Sequence, residues 1–312
     1  MSGLPAVVRQ DNLPSRVTIY EVGARDGLQN EKSVVETEVK AELVARLLDA
    51  GLAPVEATSF VHPRWVPQLA DAKELMGLLI DRLGDSARDL PVLVPNERGL
   101  DRALDLGLRH IAVFASATET FANKNLNQTY DGQWSMFEPT IARARDNELT
   151  VRGYLSMCFG DPWEGTVEIS QVVEAGQHLL DLGADQLSLG DTIGVGTAGH
   201  VRTLVKAFED AGIGVEKLAL HFHDTYGQAL ANAYAGLECG VTTFDASAGG
   251  LGGCPYAKSA TGNLATEDLV WMLNGLGIEH GVDLPAVVAT SRWLAEVLGR
   301  PSPSAVVRAL AD

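Results

Sequence analysis

Eight short runs rich in β-branched and other apolar residues recur along the chain, at 17–22, 54–58, 91–94, 110–115, 151–156, 186–189, 218–223 and 241–247. Between them lie longer stretches whose apolar residues repeat with the period of a helix, including 36–50, 66–79, 171–182, 201–211 and 226–238. Short apolar runs bounded by turn residues suit strands buried on both faces, whereas the longer amphipathic stretches suit helices with one buried face. Several helix candidates end at a glycine (Gly51, Gly107, Gly183, Gly212 and Gly240), the residue that most readily adopts the left-handed conformation just past a helix end. A strand–helix alternation repeated eight times predicts an α/β fold, the TIM (β/α)8 barrel, which normally takes roughly 250 residues. The 312-residue chain exceeds that, and the surplus falls after the eighth strand, at 268–312, as an additional C-terminal helical segment. No linker or low-complexity tract divides the sequence, so 1–312 is expected to be a single catalytic domain.

Charge narrows the partners. With 41 acidic against 24 basic residues the formal net charge is -17, which argues against nucleic acid and anionic membranes, since both need clustered positive charge. An anionic small molecule would have to be met by a few local cations. Three cysteines, Cys158, Cys239 and Cys254, do not make a disulfide framework in a chain of this size. The first residues lack the pattern of a secretory or organellar leader, and no apolar run reaches about 18 residues, so a cytoplasmic protein is expected.

A barrel carries its chemistry on loops at the C-terminal ends of its strands. Glu21 and the Arg25-Asp26 pair follow the first strand, Glu56 lies in the second, and Asp191 follows the sixth. His221 and His223 close the seventh, and Cys254 and Asn263 follow the eighth. Residues two apart on a strand share a face, so both imidazoles are expected to point inward and Phe222 outward. Closure sets the first, seventh and eighth strands side by side, bringing Asp26 and Asn263 toward the histidines. Two imidazoles, a carboxylate and an amide oxygen form a mixed N/O set without thiolate, which favours a divalent Mg2+ or Mn2+. Around Cys254, glycines 249, 250, 252 and 253 suit a loop that approaches a ligand closely. The run Gly194-Val195-Gly196-Thr197-Ala198-Gly199 fits a dinucleotide fingerprint, yet it begins past Asp191 and the next strand ends in the two histidines. It is better explained as a βα loop that holds Asp191 at the rim.

Five blocks carry a resemblance to a known family. They are Gly-Gly-Leu-Gly-Gly-Cys-Pro-Tyr-Ala-Lys-Ser-Ala-Thr-Gly-Asn-Leu-Ala-Thr-Glu at 249–267, Glu-Val-Gly-Ala-Arg-Asp-Gly-Leu-Gln-Asn-Glu-Lys at 21–32, and the segments 56–68, 188–197 and 221–232. Together they resemble the 3-hydroxy-3-methylglutaryl-CoA lyases over nearly the whole chain. The resemblance implies Cys254 as a catalytic thiol, Asp26 and Asn263 as metal ligands beside His221 and His223, and Arg25 as the group that steadies an enolate oxygen. It implies Glu56 as an active-site carboxylate, and places Gln29, Lys32, Ser59 and Thr192 with Arg25 as contacts to an acyl-CoA substrate. The implied reaction is a metal-assisted carbon–carbon cleavage giving acetoacetate and acetyl-CoA, with Cys254 protonating the enolate carbon. The base that takes the substrate hydroxyl proton stays open among Asp26, Asp191 and His223.

The chain departs from the family pattern at His62, at Asn127-Gln128 and in Met157-Cys158-Phe159-Gly160-Asp161-Pro162, and has small residues at Ala246 and Ala248 before the glycine loop. None of these alters a proposed ligand. They leave open a related tertiary 3-hydroxyacyl ester, such as an isohexenylglutaryl or citramalyl one. Further alternatives are an acyl-CoA:2-oxoacid synthase of the same superfamily and a non-catalytic CoA-binding barrel. A homodimer or other homo-oligomer is expected.

Overall fold

The computed structural model describes residues 4–31, 33–253 and 262–310. Lys32 and Cys254, both singled out in the sequence, lie outside the described residues. Eight parallel strands form one sheet: β1 (Thr18–Glu21), β2 (Thr58–Ser59), β3 (Val92–Leu93), β4 (His110–Ser116), β5 (Thr150–Ser156), β6 (Gln186–Asp191), β7 (Leu218–Phe222) and β8 (Thr243–Ala246). Their order, β1-β8-β7-β6-β5-β4-β3-β2, runs once around a barrel. The seam between β1 and β2 is closed by backbone bonds on either side of Glu21: its N–H donates to Pro54 O at 3.0 Å, and its carbonyl accepts from the Glu56 N–H at 2.8 Å. The run 54–58 was expected as the second strand, but the regular ladder to β3 covers only Thr58 and Ser59. Pro54 has no N–H to donate, and Glu56 has already spent its own on β1.

The helices alternate with the strands: α1 (Thr37–Asp49), α2 (Ala72–Leu83), α3 (Glu97–Asp105), the single turn α4 (Glu119–Phe121), α5 (Tyr130–Asp146), α6 (Ile169–Asp181), α7 (Ala198–Asp210) and α8 (Ala229–Glu238). The helix expected from 66 begins only at Ala72. Ahead of it a 3-10 turn, Pro67–Leu69, turns Gln68 inward, where its carbonyl oxygen accepts from Val35 N–H and its amide donates to Ser33 O. The buried Lys40 ammonium holds the same corner by donating to Gln68 O and pairing with Asp71 at 2.8 Å. The side chain of a buried polar residue thus overrides helical periodicity here. After β8 come α9 (Thr266–Leu276), α10 (Leu284–Leu298) and α11 (Ala305–Ala309). α9 packs against α8, and α10 against α1, so both continue the outer ring.

Strand alternation sorts two environments. Leu220, Phe222 and Phe244 face the helices and join the apolar core, whereas Tyr20, Arg152, Tyr154, Ser188, His221 and Asp245 meet one another inside the barrel. The register sets Tyr20 opposite Asp245 and Asp245 opposite His221, which places them at one level. Among the described residues no helix is long and apolar enough to cross a membrane.

Candidate active site

The C-terminal mouth of the barrel opens into a cavity of about 940 Å3, bordered by Arg25, Asp26, His221 and His223 on one side. Asp26 lies in a π-helical turn, Gly23–Gly27, immediately after β1, while His221 is in β7 and His223 just past it. One ligand atom from each of Asp26, His221 and His223 lies within 4.8 Å of the others, close enough for a single ion to bridge them. Phe222 points the opposite way, its ring 5.9 Å from that of Phe159, as the alternation requires.

Asn263 joins this group from the far end of the glycine segment. Backbone pairing between His223 and Asn263 fixes it, and its amide donates to Asp26 Oδ2 at 2.8 Å and to Leu251 O at 3.0 Å. Gly252 is required for this approach: a Cβ there would lie 2.5 Å from the Asn263 amide nitrogen, and its φ is +119°. Two buried polar atoms at this point, Asn263 Oδ1 and His223 Nδ1, have no hydrogen-bond partner among the described residues. Buried polar atoms are rarely left unpaired, and an amide oxygen turned free beside a carboxylate and two imidazoles fits a divalent cation.

Arg25 binds Asp26 Oδ1 at 2.7 Å through one terminal nitrogen and Glu56 Oε2 at 2.9–3.0 Å through Nε and the other. Glu56 also accepts from Tyr154 OH at 2.7 Å, and the Arg25 guanidinium lies 5.1 Å from the centre of the Tyr154 ring. Glu56 is fully buried behind Arg25 rather than lining the cavity, so it holds the arginine in place. Burial pushes against ionisation of Asp26, but Arg25, the two histidines and the Asn263 amide outweigh it and hold the carboxyl at about 2. Burial and the neighbouring His221 lower His223 to about 4, which leaves its imidazole neutral and fit to ligate.

Asp191 is placed differently from the other expected site residues. Its two oxygens accept from Val195 N–H and Gly196 N–H, each at 2.9 Å, so the carboxylate turns into its own βα loop. Burial raises it to about 6 against the pull of those amides. A Cβ on Gly196 would come within 2.9 Å of Asp191 Oδ2, so the glycines of the fingerprint-like run serve this clasp. Gln29, Ser59 and Thr192 do border the cavity, and Thr192 Oγ1 also accepts from Met157 N–H.

Tyr154 and Ser188 border the cavity, Asp245 reaches His221 and Arg152 backs Asp245; none of the four is a candidate in the sequence analysis. Their signal was the strand alternation itself, Arg152 with Tyr154 and Asp245 between Phe244 and Ala246. The departures also fall on the cavity: His62, Asn127 and Gln128 all border it. Asn127 sits at φ +53°, a left-handed position that asparagine tolerates better than most side chains.

The HMGL-like family profile matches residues 16–294. The chain belongs to the HMGL-like family. It is 49% identical over 298 residues to the mitochondrial hydroxymethylglutaryl-CoA lyase of Arabidopsis thaliana, covering 96% of this chain and 63% of that protein. It is 46% identical to the 3-hydroxy-3-isohexenylglutaryl-CoA/hydroxymethylglutaryl-CoA lyase of Pseudomonas aeruginosa, with coverage of 96% and 98%. The crystal structure of the Bacillus subtilis HMG-CoA lyase superposes with a TM-score of 0.92 at 42% identity, covering 96% of this chain and 99% of that one. The HMGL-like match includes the Arg25-Asp26 turn, the β7 histidines and Asn263 together.

Proposed function

We propose that this HMGL-like chain is a carbon–carbon lyase that cleaves 3-hydroxy-3-methylglutaryl-CoA to acetoacetate and acetyl-CoA, with Mg2+ or Mn2+ as its cofactor. The observation that carries the reading is the convergence of Asp26, His221 and His223 beside Arg25 on one cavity wall. Asp26, His221, His223 and the free Asn263 oxygen would hold the ion. A divalent cation there supplies positive charge that acidifies the substrate's tertiary hydroxyl near neutral pH.

The chain's own groups do the rest. The hydroxyl proton passes to one of Asp26, Asp191 and His223, of which Asp26 and His223 border the cavity. The electron pair of the O–H bond becomes the ketone π bond, the C2–C3 bond breaks, and its electrons form the thioester enolate. Arg25, held rigid by Glu56 and Tyr154, neutralises the enolate oxygen without having to reorganise. Cys254 delivers a proton to the enolate carbon and completes acetyl-CoA. Gln29, Ser59, Thr192 and Lys32 contact the acyl-CoA, and the same reading includes a cytoplasmic homodimer or other homo-oligomer.

His62, Asn127 and Gln128 on the cavity wall give a specific reason to test a longer substituent at the tertiary carbon. The Pseudomonas relative's name includes such a substrate. The deciding experiment assays hydroxymethylglutaryl-, isohexenylglutaryl- and citramalyl-CoA with EDTA, then with Mg2+ or Mn2+ restored. Acetyl-CoA released from hydroxymethylglutaryl-CoA only when the ion is present is the expected result. Full turnover in chelator on metal-free protein would overturn the mechanism, and turnover of another ester alone would overturn the substrate.

A further inference from the structure

Beneath the cation-binding rim, a closed set of buried polar side chains crosses the inside of the barrel. Asp245 is 1% exposed and has three donors around it. Its Oδ1 takes a 2.6 Å ion pair from Arg152, while its Oδ2 accepts from Ser188 Oγ at 2.8 Å and faces His221 Nδ1 at 3.2 Å. Arg152 is itself buried, lying 3.7 Å from the centre of the Tyr20 ring and 5.0 Å from that of Tyr154. A buried carboxylate is costly unless a cation and several donors compensate it, and Arg152 and Ser188 supply both. One contact is left over for chemistry, the one to His221. A carboxylate that accepts only has one way to engage an imidazole, with the proton on the ring nitrogen that faces it.

We propose that Asp245, held anionic by Arg152, is a positioning residue that keeps the proton of His221 on Nδ1 and so aims the Nε2 lone pair at the cation. The proposal rests on the metal reading given above. A histidine ligand whose second nitrogen donates to a carboxylate is fixed in tautomer and ring orientation, and removing such a partner typically costs about 10–100-fold in metal affinity. The sheet register makes the arrangement rigid, because Asp245 and His221 are paired residues on adjacent strands. Arg152 reaches Asp245 from β5, so three strands cooperate on one imidazole. By contrast, among the described residues His223 has no such carboxylate at its Nδ1. The two ligands therefore differ, with His221 oriented by the barrel interior and His223 by its backbone pairing to Asn263.

The test is Mn2+ binding, followed by electron paramagnetic resonance, to the unsubstituted protein and to Asp245→Asn. A rise of about 10–100-fold in the Mn2+ dissociation constant is expected for the variant. Asparagine keeps one acceptor oxygen, which the Arg152 cation takes, and turns its NH2 toward Ser188 and His221, where it cannot accept from Nδ1. A pair serving only stability would lower the melting temperature and leave the Mn2+ constant unchanged, and that result would overturn the proposal. Should Asp245→Asn fail to fold, long-range 1H–15N correlation on the unsubstituted, Mg2+-loaded enzyme reads the tautomer directly. A proton on His221 Nδ1 is expected, and one on Nε2 would overturn the assignment. If the unsubstituted protein bound no Mn2+ at all, the metal reading itself would fall, and this proposal with it.

Discussion

Glu21 ends β1 and Asp26 lies in the turn just after it, yet their surroundings drive them in opposite directions. Asp26 borders the cavity among Arg25, two imidazoles and an amide, and is held at about 2. Glu21 is buried and, among the described residues, meets only neutral donors: Gly23 N–H and Ala248 N–H reach Oε1 at 2.8 and 2.9 Å, and Thr266 Oγ1 donates to Oε2 at 2.6 Å. Burial raises it to about 7, and those donors do not make up the difference. Glu267, at the start of α9, repeats the pattern with Gly249 N–H and Ser291 and is raised by burial to about 8. Burial penalises all of these carboxylates; at Asp26 the surrounding positive groups outweigh it, whereas Glu56 stays raised even beside Arg25. The cationic region is built to hold a metal and an anionic intermediate. The neutral region clamps the backbone from which the glycine segment departs, tying β1 and β8 to α9.

The largest effect expected across this divide concerns Cys254, which belongs to the glycine segment rooted in the neutral clamp. Replacement by Ala should lower turnover by roughly 10²–10⁴, the usual worth of a positioned proton donor, while Mn2+ binding stays at its unsubstituted value. Cys254→Ser sharpens the test, because a hydroxyl fills the same space but is a far weaker acid. Alkylation should select the same residue. Cys158 is buried, donates to Leu155 O and is pushed up by burial, and burial raises the half-buried Cys239 as well. Near-normal turnover of Cys254→Ser, or alkylation that a substrate analogue does not slow, would show that another group protonates the enolate.

Arg25→Met removes the main cation from the other side of the comparison. Turnover should fall by on the order of 10²–10³, with a much smaller rise in KM, because the charge that Arg25 meets appears only as the bond breaks. Glu56 and Asp26 would both lose their arginine partner, so Mn2+ binding should also become more sensitive to acid. The check is a steady-state and Mn2+-titration series across pH. A rise in KM alone, with turnover unchanged, would make Arg25 a ground-state binder.

The rim was legible in the sequence because strand order dictates it. Asp26, His221, His223 and Asn263 converge for the reason given by the alternation and closure of the barrel, and the fingerprint-like run at 194–199 does hold Asp191. The interior was not legible. Alternation puts Arg152 and Tyr154 on one face, but only the register shows that this face meets Asp245 and His221. Nor could periodicity place the start of α2, where Gln68 leaves the helical pattern to satisfy backbone groups of 33–35. Asp191 looked like a rim acid in sequence, and its engagement with two loop amides depends on a backbone turn that residue types alone do not specify. Sequence misses polar contacts between elements distant along the chain, and with Asp191 also a contact inside one loop whose turn the residue types leave open.

The smallest effect, and the one that probes the neutral region directly, is the pH dependence of stability. An unfolded glutamate ionises at about 4.3, whereas folded Glu267 does so at about 8. Between those values the folded state binds more protons than the unfolded one, so this residue's contribution is complete below about pH 4.3 and declines as pH rises toward 8. Glu21 adds the same sign over a window that ends at about 7. Glu267→Gln keeps the acceptor for Gly249 N–H and cannot ionise, so its unfolding free energy should fall less steeply with pH than that of the unsubstituted protein. The two curves should diverge by on the order of 1 kcal/mol per pH unit between about pH 5 and 8. Denaturant titrations at several pH values measure this difference, and taking it between variants removes the contribution of groups common to both. A difference that stayed flat, or that ran in the opposite direction, would mean that Glu267 is ionised in the fold. The contrast with Asp26 would then rest on Glu21 alone.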